Sequence, residues 1–326
     1  MTHLADEAAE AADGARTQLE RCGPVFAELG RRLRANPPRL VVTCARGSSD
    51  HAATYGKYVV ETAARTVVAS VGPSVASMYH RAPQGLDGAL FIAVSQSGRS
   101  PDLVELTEAT RKAGALVVGF INVETSPLAS ACDLVIPICA GEERAVAATK
   151  SFLLSSLAFL QLAAHWTDDA VLRDTIASAP DAFAAATGNP WQLTQLATAE
   201  SLYVVGRGVG LGPAHEVALK LKETCRLHAE AFSTAEVLHG PLALVRPGFP
   251  VIAITQDDLT APSTKSVLDR LSALGATCYS KVVHERAHLD PLCQVLSFYM
   301  GLPALAAARG LDADLPAHLR KVTETL

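Results

Sequence analysis

Between Phe91 and Leu103 the chain reads Phe-Ile-Ala-Val-Ser-Gln-Ser-Gly-Arg-Ser-Pro-Asp-Leu. Ser95, Gln96, Ser97 and Ser100 crowd hydrogen-bonding side chains around Gly98, just ahead of a proline suited to the first turn of a helix. Hydroxyls and free backbone N–H groups at a helix N-terminus suit a phosphate. The same residues also suit an ordinary turn with Ser100 as N-cap, and the loop is not a Walker sequence. A second small polar loop, Ala45-Arg46-Gly47-Ser48-Ser49-Asp50, has a similar character.

Groups able to move protons lie further on. Lys220, Lys222 and Glu223 fall late in a helical pattern that starts at Pro213. They read either as a solvated face or, with Leu219, Leu221 and Leu227 around them, as part of something more enclosed; Glu216 and Lys220 have the i, i+4 spacing of a simple pair. His239 precedes Gly240-Pro241 and so sits on a turn, merely exposed or placed where a titrating group is useful. His215, His228 and His239 lack metal-ligand spacing, so no metal site is expected. Arg207-Gly208-Val209-Gly210 with Gly212 matches a dinucleotide loop too poorly to imply a cofactor. Near the end, Arg320-Lys321 is either a frayed terminus or the source of a lysine captured by an active site.

The elements that must position these groups alternate. A helical segment from Ala5 to Arg34, with a kink or break expected at Pro24, stops at Asn36-Pro37-Pro38. Strands follow at Leu40–Cys44, Thr66–Val71, Phe91–Val94, Leu116–Ile121 and Leu134–Ile138, with helices between them and a long apolar helix from Ala145 to Trp166. Right-handed crossovers make this a parallel sheet covered on both faces. Both polar loops then lie at the carboxyl edge, where doubly wound folds bind ligands. After a helical link ending at Gly188-Asn189-Pro190 the pattern restarts with Ser201–Gly206, Phe249–Thr255 and Thr277–Val283 as strands and Leu289–Ala308 as a helix. The expectation is α/β with two tandem doubly wound domains: a helical segment over 1–36, a first domain over 37–185 and a second over 186–326.

Composition narrows the class. The chain has 326 residues, is 49% hydrophobic and 19% charged, and has a formal net charge of −5. No Lys/Arg-rich block suggests a nucleic-acid partner. No apolar run approaches the ~20 residues of a membrane span, and the acidic, Ala-rich start lacks signal-peptide character, so a cytoplasmic location is expected. The seven cysteines include no CxxC pair and read as buried, inert thiols.

Five short motifs in order carry a resemblance: Gly47-Ser48-Ser49, Ser95-Gln96-Ser97-Gly98, Val146-Ala147-Ala148-Thr149-Lys150, Ala218-Leu219-Lys220-Leu221-Lys222-Glu223 and Glu236-Val237-Leu238-His239-Gly240-Pro241. From about Pro37 to Lys321 the chain resembles the tandem sugar isomerase (SIS) domain proteins, in particular the isomerase half of glucosamine-6-phosphate synthase. With no glutaminase segment ahead of its first strand, it is most similar in layout to SIS-type glucosamine-6-phosphate deaminases. The resemblance implies an aminosugar-phosphate deaminase or isomerase that needs no cofactor, with a phosphorylated amino sugar as its partner and a homodimer with shared sites as its assembly. It implies substrate phosphate on Ser48, Ser49, Ser95, Gln96, Ser97 and Ser100, and sugar contacts at Val146 and Lys220. Glu223 would be the base between the first and second sugar carbons, His239 the ring-opening group reaching a neighbouring subunit, and Lys321 the lysine for the open chain. Other amino-sugar phosphates, simple isomerisation and a non-catalytic phosphosugar sensor are the competing readings.

Overall fold

A computed structural model describes residues 2–321. Helix α1 (His3–Ala9), capped by Thr2, ends at Glu10 and is followed by α2 (Ala11–Ala35). The break thus falls at Glu10, and α2 continues through Pro24 without interruption. Ala15, Cys22, Phe26, Leu29 and Leu33 are buried at helical spacing along it. Packing of that stripe outweighs the one hydrogen bond a proline removes.

Then come β1 (Val41–Cys44), α3 (Ser48–Ala63), β2 (Val68–Ser70), α4 (Ser74–Ser77), β3 (Leu90–Ser95), α5 (Pro101–Lys112), β4 (Leu116–Ile121), α6 (Pro127–Ala131) and β5 (Leu134–Pro137). The strands form one parallel sheet in the order β2-β1-β3-β4-β5, with Val42 beside Phe91 and Phe91 beside Val117. The central strands β1 and β3 are buried throughout, as expected for a sheet covered on both faces. One layer of the core gathers Val42, Phe91, Ala93, Leu103, Leu106, Val117 and Leu128. Helices α7 (Lys150–Thr167) and α8 (Ala170–Thr187) follow. Gly56 lets α3 lie directly on the Phe159 ring of α7, since a β-carbon there would fall inside it.

The second sheet contains β6 (Ser201–Gly206), β7 (His228–Ser233), β8 (Pro250–Ala253) and β9 (Thr277–Ser280), all parallel, in the order β7-β6-β8-β9. Its helices are α9 (Leu211–Cys225), α10 (Thr234–Val237), α11 (Ala261–Ala273) and α12 (Asp290–Ala308). In each sheet the second strand pairs on one side of the first and the third on the other, so the two sheets are wound alike. Strand β7 has no counterpart in the sequence reading. It is an edge strand with an exposed His228 and Glu230, so it lacks the apolar run that marks a buried strand. The turn into it is made by Arg226 in a left-handed conformation (φ 45°), without the glycine that usually signals one.

The chain divides into two compact units. One comprises Asp13–Glu142 and Ser151–Ser178; the other takes residues up to Ala12, Glu143–Lys150 and Ala179–Lys321. In the latter, α1 packs on α12, and α12 packs on α9. Among the described residues, α12 alone is long and apolar enough to cross a membrane, but most of it is buried inside its unit, as a core helix is.

The long apolar helix expected from Ala145 begins instead at Lys150. Side chains draw the backbone ahead of it into a loop: Glu143 accepts the Thr149 N–H at 2.8 Å, and Glu7 accepts the N–H groups of Arg144 and Ala145. Val146 therefore lies on an irregular, carboxylate-bound segment.

Candidate active site

In the five-stranded unit, the two polar loops leave the carboxyl ends of β1 and β3, which are adjacent. With the order β2-β1-β3-β4-β5, this is the point where the winding reverses, the place where doubly wound folds bind their ligands. Gly47, at φ 55°, turns the first loop into α3, which begins at Ser48. Ser100 is the N-cap of α5 but its hydroxyl makes no cap bond, so it remains free of that duty. Two helix N-termini thus bring unpaired N–H groups and partial positive charge to one edge. Arg46 in the first loop grips the wholly buried Asp102 of α5, with Nη2 at 2.6 Å and Nε at 3.1 Å, and so ties the loops together. Ser49, Gln96 and Ser97 are half-buried. Ser95 is different: its buried Oγ accepts the Gly98 N–H at 2.9 Å and shapes the turn. At the matching edge of the second sheet, the buried Gln256 side chain donates to the Arg207 carbonyl at 2.7 Å and to Thr260 at 3.0 Å.

In the other unit, α9 carries an enclosed acid–base cluster. Lys220 is fully buried, with Nζ 2.6 Å from Glu223 and 3.3 Å from Glu216. Burial works against its charge, but the two carboxylates and their hydrogen bonds prevail and raise its pKa. It is therefore a fixed ammonium at neutral pH. Glu216 is equally buried and accepts the Tyr299 hydroxyl of α12 at 2.8 Å. Glu223 keeps about one fifth of its side chain exposed, so of the two carboxylates it is the one open to a ligand. Lys321 reaches Glu143 at 3.5 Å and donates to the Ala145 carbonyl at 2.6 Å. Tyr299 links these groups. Burial and the surrounding carboxylates Glu216, Glu143 and Glu223 push its phenol pKa well up. Glu223 is thus paired with the Lys220 ammonium, Lys321 with Glu143, and the carboxylates of both pairs act on Tyr299.

The SIS domain family profile matches residues 36–165 and 195–283, taking in all nine strands of both sheets. The chain belongs to the SIS domain family. This SIS protein is 40% identical to an inferred phosphosugar isomerase from Silicibacter pomeroyi, over 96% of this chain and all of that one, with a TM-score of 0.91. It is 32% identical over 328 residues to the glutamine–fructose-6-phosphate aminotransferase (isomerizing) of Aeropyrum pernix, covering 89% of this chain and 51% of the relative. The SIS protein spans about half the length of the curated relatives it matches. It shares its fold with a glucosamine-6-phosphate deaminase from Thermotoga maritima at 20% identity and a TM-score of 0.77, covering 97% of this chain and all of that one.

Of the residues expected to act in this SIS protein, Glu223 and Lys220 are in contact, and Lys321 rests on Glu143 and the Ala145 carbonyl. Val146 is half-buried in the segment whose Ala145 carbonyl holds Lys321. His239 is exposed on the turn between α10 and Pro241, its backbone N–H bonded to the Glu236 carbonyl at 2.9 Å. Sequence reasoning missed Tyr299 and Glu143. Tyr299 sits in an apolar helix that reads as core, and Glu143 sits within what reads as a polar loop; neither has a local pattern. Glu216 was visible only through its spacing from Lys220.

Proposed function

We propose that this protein is a glucosamine-6-phosphate deaminase of the isomerising kind, converting glucosamine 6-phosphate and water to fructose 6-phosphate and ammonium. The observation that carries a proton-shuttling reading is Glu223, a partly open carboxylate held 2.6 Å from the buried Lys220 ammonium. In this reading the Ser48–Ser49 and Ser95–Ser100 loops take the phosphate. His239 opens the pyranose. Glu223 removes the proton from the second carbon and returns it to the first, a transfer in which an adjacent cation steadies the enol oxygen that forms. The amine on the second carbon becomes an imine, and water then hydrolyses it to the ketone. Lys321 orients the open chain. The direction follows from nucleophile supply. Free ammonia near neutral pH is mostly protonated and unreactive, while water is abundant, so nitrogen is released unless ammonia is delivered from elsewhere.

The second reading is aldose–ketose isomerisation without loss of nitrogen, favoured by the 40% identity to the Silicibacter protein. A panel of amino-sugar and neutral sugar phosphates separates the two. Deamination gives equal amounts of ammonium and fructose 6-phosphate from glucosamine 6-phosphate. Ketose formation from a neutral aldose phosphate, with no ammonium from any amino sugar, rejects it in favour of the second reading.

The phosphate assignment has its own test. Ser49→Ala and Ser97→Ala are each expected to weaken phosphosugar binding by about 1–3 kcal/mol, the usual loss for a hydrogen bond to a charged group. Titration calorimetry with both variants checks this, and wild-type affinity in both would move the phosphate elsewhere.

A further inference from the structure

Two cysteines far apart in the sequence meet in the five-stranded unit. Cys22 is buried on the inner face of α2, and Cys139 lies just beyond β5. Both sulfurs bear on one acceptor, the Pro137 carbonyl oxygen, at 3.4 Å from Cys22 and 3.6 Å from Cys139. Neither is disulfide-bonded. Cys139 is partly exposed, while Cys22 is almost wholly enclosed. Cys139 also holds a left-handed backbone conformation (φ 60°), which a non-glycine residue keeps only where its surroundings impose it.

We propose that Cys22 and Cys139 are a reversible dithiol–disulfide pair, with Cys139 the sulfur that a hydroperoxide attacks first and Cys22 the one that resolves it. The surroundings favour this division of roles. The neighbouring Cys22 thiol and the Arg21 guanidinium beside it outweigh burial and bring the Cys139 thiol down to about 7. Cys22 is pushed the other way by the neighbouring Cys139 and by burial. A thiolate is the reacting form of cysteine, so at neutral pH the exposed partner is the reactive one. Arg21 is in turn held by Glu124 at 2.8 Å, so the cation is positioned, not wandering.

The chemistry balances with a hydroperoxide as the oxidant. The Cys139 thiolate attacks the peroxide oxygen, breaks the O–O bond and becomes a sulfenic acid as hydroxide leaves and takes up a proton to give water. The Cys22 sulfur then attacks the sulfenic sulfur and expels a second water, forming the S–S bond. The two sulfurs lose two electrons, and the peroxide gains them. A dithiol reductant reverses the step by exchange.

The other five cysteines lack this arrangement. Cys44, Cys225 and Cys293 are buried, and burial pushes each thiol up. Burial and Asp133 push Cys132 up to about 12. The neighbours of Cys278 are the Ser272 hydroxyl and the Leu268 carbonyl. The sequence reading of seven buried thiols does not hold for Cys132, Cys139 and Cys278, which are partly exposed, and helix packing and the turn after β5 bring Cys22 and Cys139 to one carbonyl with no sequence motif between them.

The test uses the full chain treated with a few equivalents of hydrogen peroxide, then unfolded and titrated for thiols. Two of the seven thiols should be lost, non-reducing peptide mapping should show one bridge between Cys22 and Cys139, and dithiothreitol should restore both. In Cys22→Ser the bridge should be absent and Cys139 should be trapped as a sulfenic acid by dimedone. Peptide mapping of the wild type needs no variant to fold. Retention of all seven thiols, a bridge between other cysteines, or oxidation of Cys139 that leaves Cys22 free in the wild type would overturn the proposal.

Discussion

Glu223→Gln is expected to lower turnover about 10²–10⁴-fold, the range set by loss of a positioned general base. The substitution keeps the shape of the side chain and leaves an amide oxygen to accept from Lys220, while Glu216, 3.3 Å from Lys220, still balances the buried ammonium. The fold therefore survives, and the proton acceptor alone is removed. The phosphate loops belong to other elements, the starts of α3 and α5, so phosphosugar affinity should stay close to that of the wild type. Single-turnover kinetics together with calorimetric titration separates the two quantities. A variant that turns over at the wild-type rate would remove Glu223 from the mechanism. One that loses affinity and rate in equal proportion would make it a binding residue.

Lys220→Met is expected to be the most destabilising single change in the acid–base cluster, by about 3–5 kcal/mol, because it leaves a buried carboxylate without its cation. Lys220 and Glu216 are both wholly enclosed, and Glu216 also accepts the Tyr299 hydroxyl at 2.8 Å. A neutral hydroxyl cannot balance that charge. The double variant Lys220→Met with Glu216→Gln should recover much of the loss, since it removes both charges together. Urea unfolding of the single and double variants checks both statements; equal stability of the wild type and Lys220→Met would mean that the buried pair is energetically idle. Lys220 also has a pH signature. Its folded pKa is raised above the ordinary lysine value of 10.5, so its contribution is fully present below that value. The contribution is lost as pH rises from there through the folded pKa, and Lys220→Met should lack that alkaline loss.

The sequence alone determined the alternation of strands and helices, the doubling of the fold and the position of both serine loops after strands. Each of these rests on local patterns: apolar runs such as Phe91–Val94, the polar break at Ser95–Ser100 and the proline after it. Tertiary structure decided what those patterns do together. The loops at Ser48 and Ser97 meet because β1 and β3 pair, and strand order is a long-range property that no window of residues contains. Ser95 turned from a free hydroxyl into a turn-shaping one because its Oγ is buried against Gly98. Ala145 to Thr149 left the helical pattern because Glu7 and Glu143 offered the backbone better acceptors, Glu7 from α1 at the start of the chain. Lys220 has the local pattern of a solvated helical face, and only the packing of α12, which places Tyr299 beside Glu216, encloses it. Cys22 and Cys139 show the same limit. Hydrophobic periodicity specifies which face of α2 is buried, but only packing decides which side chain that face meets.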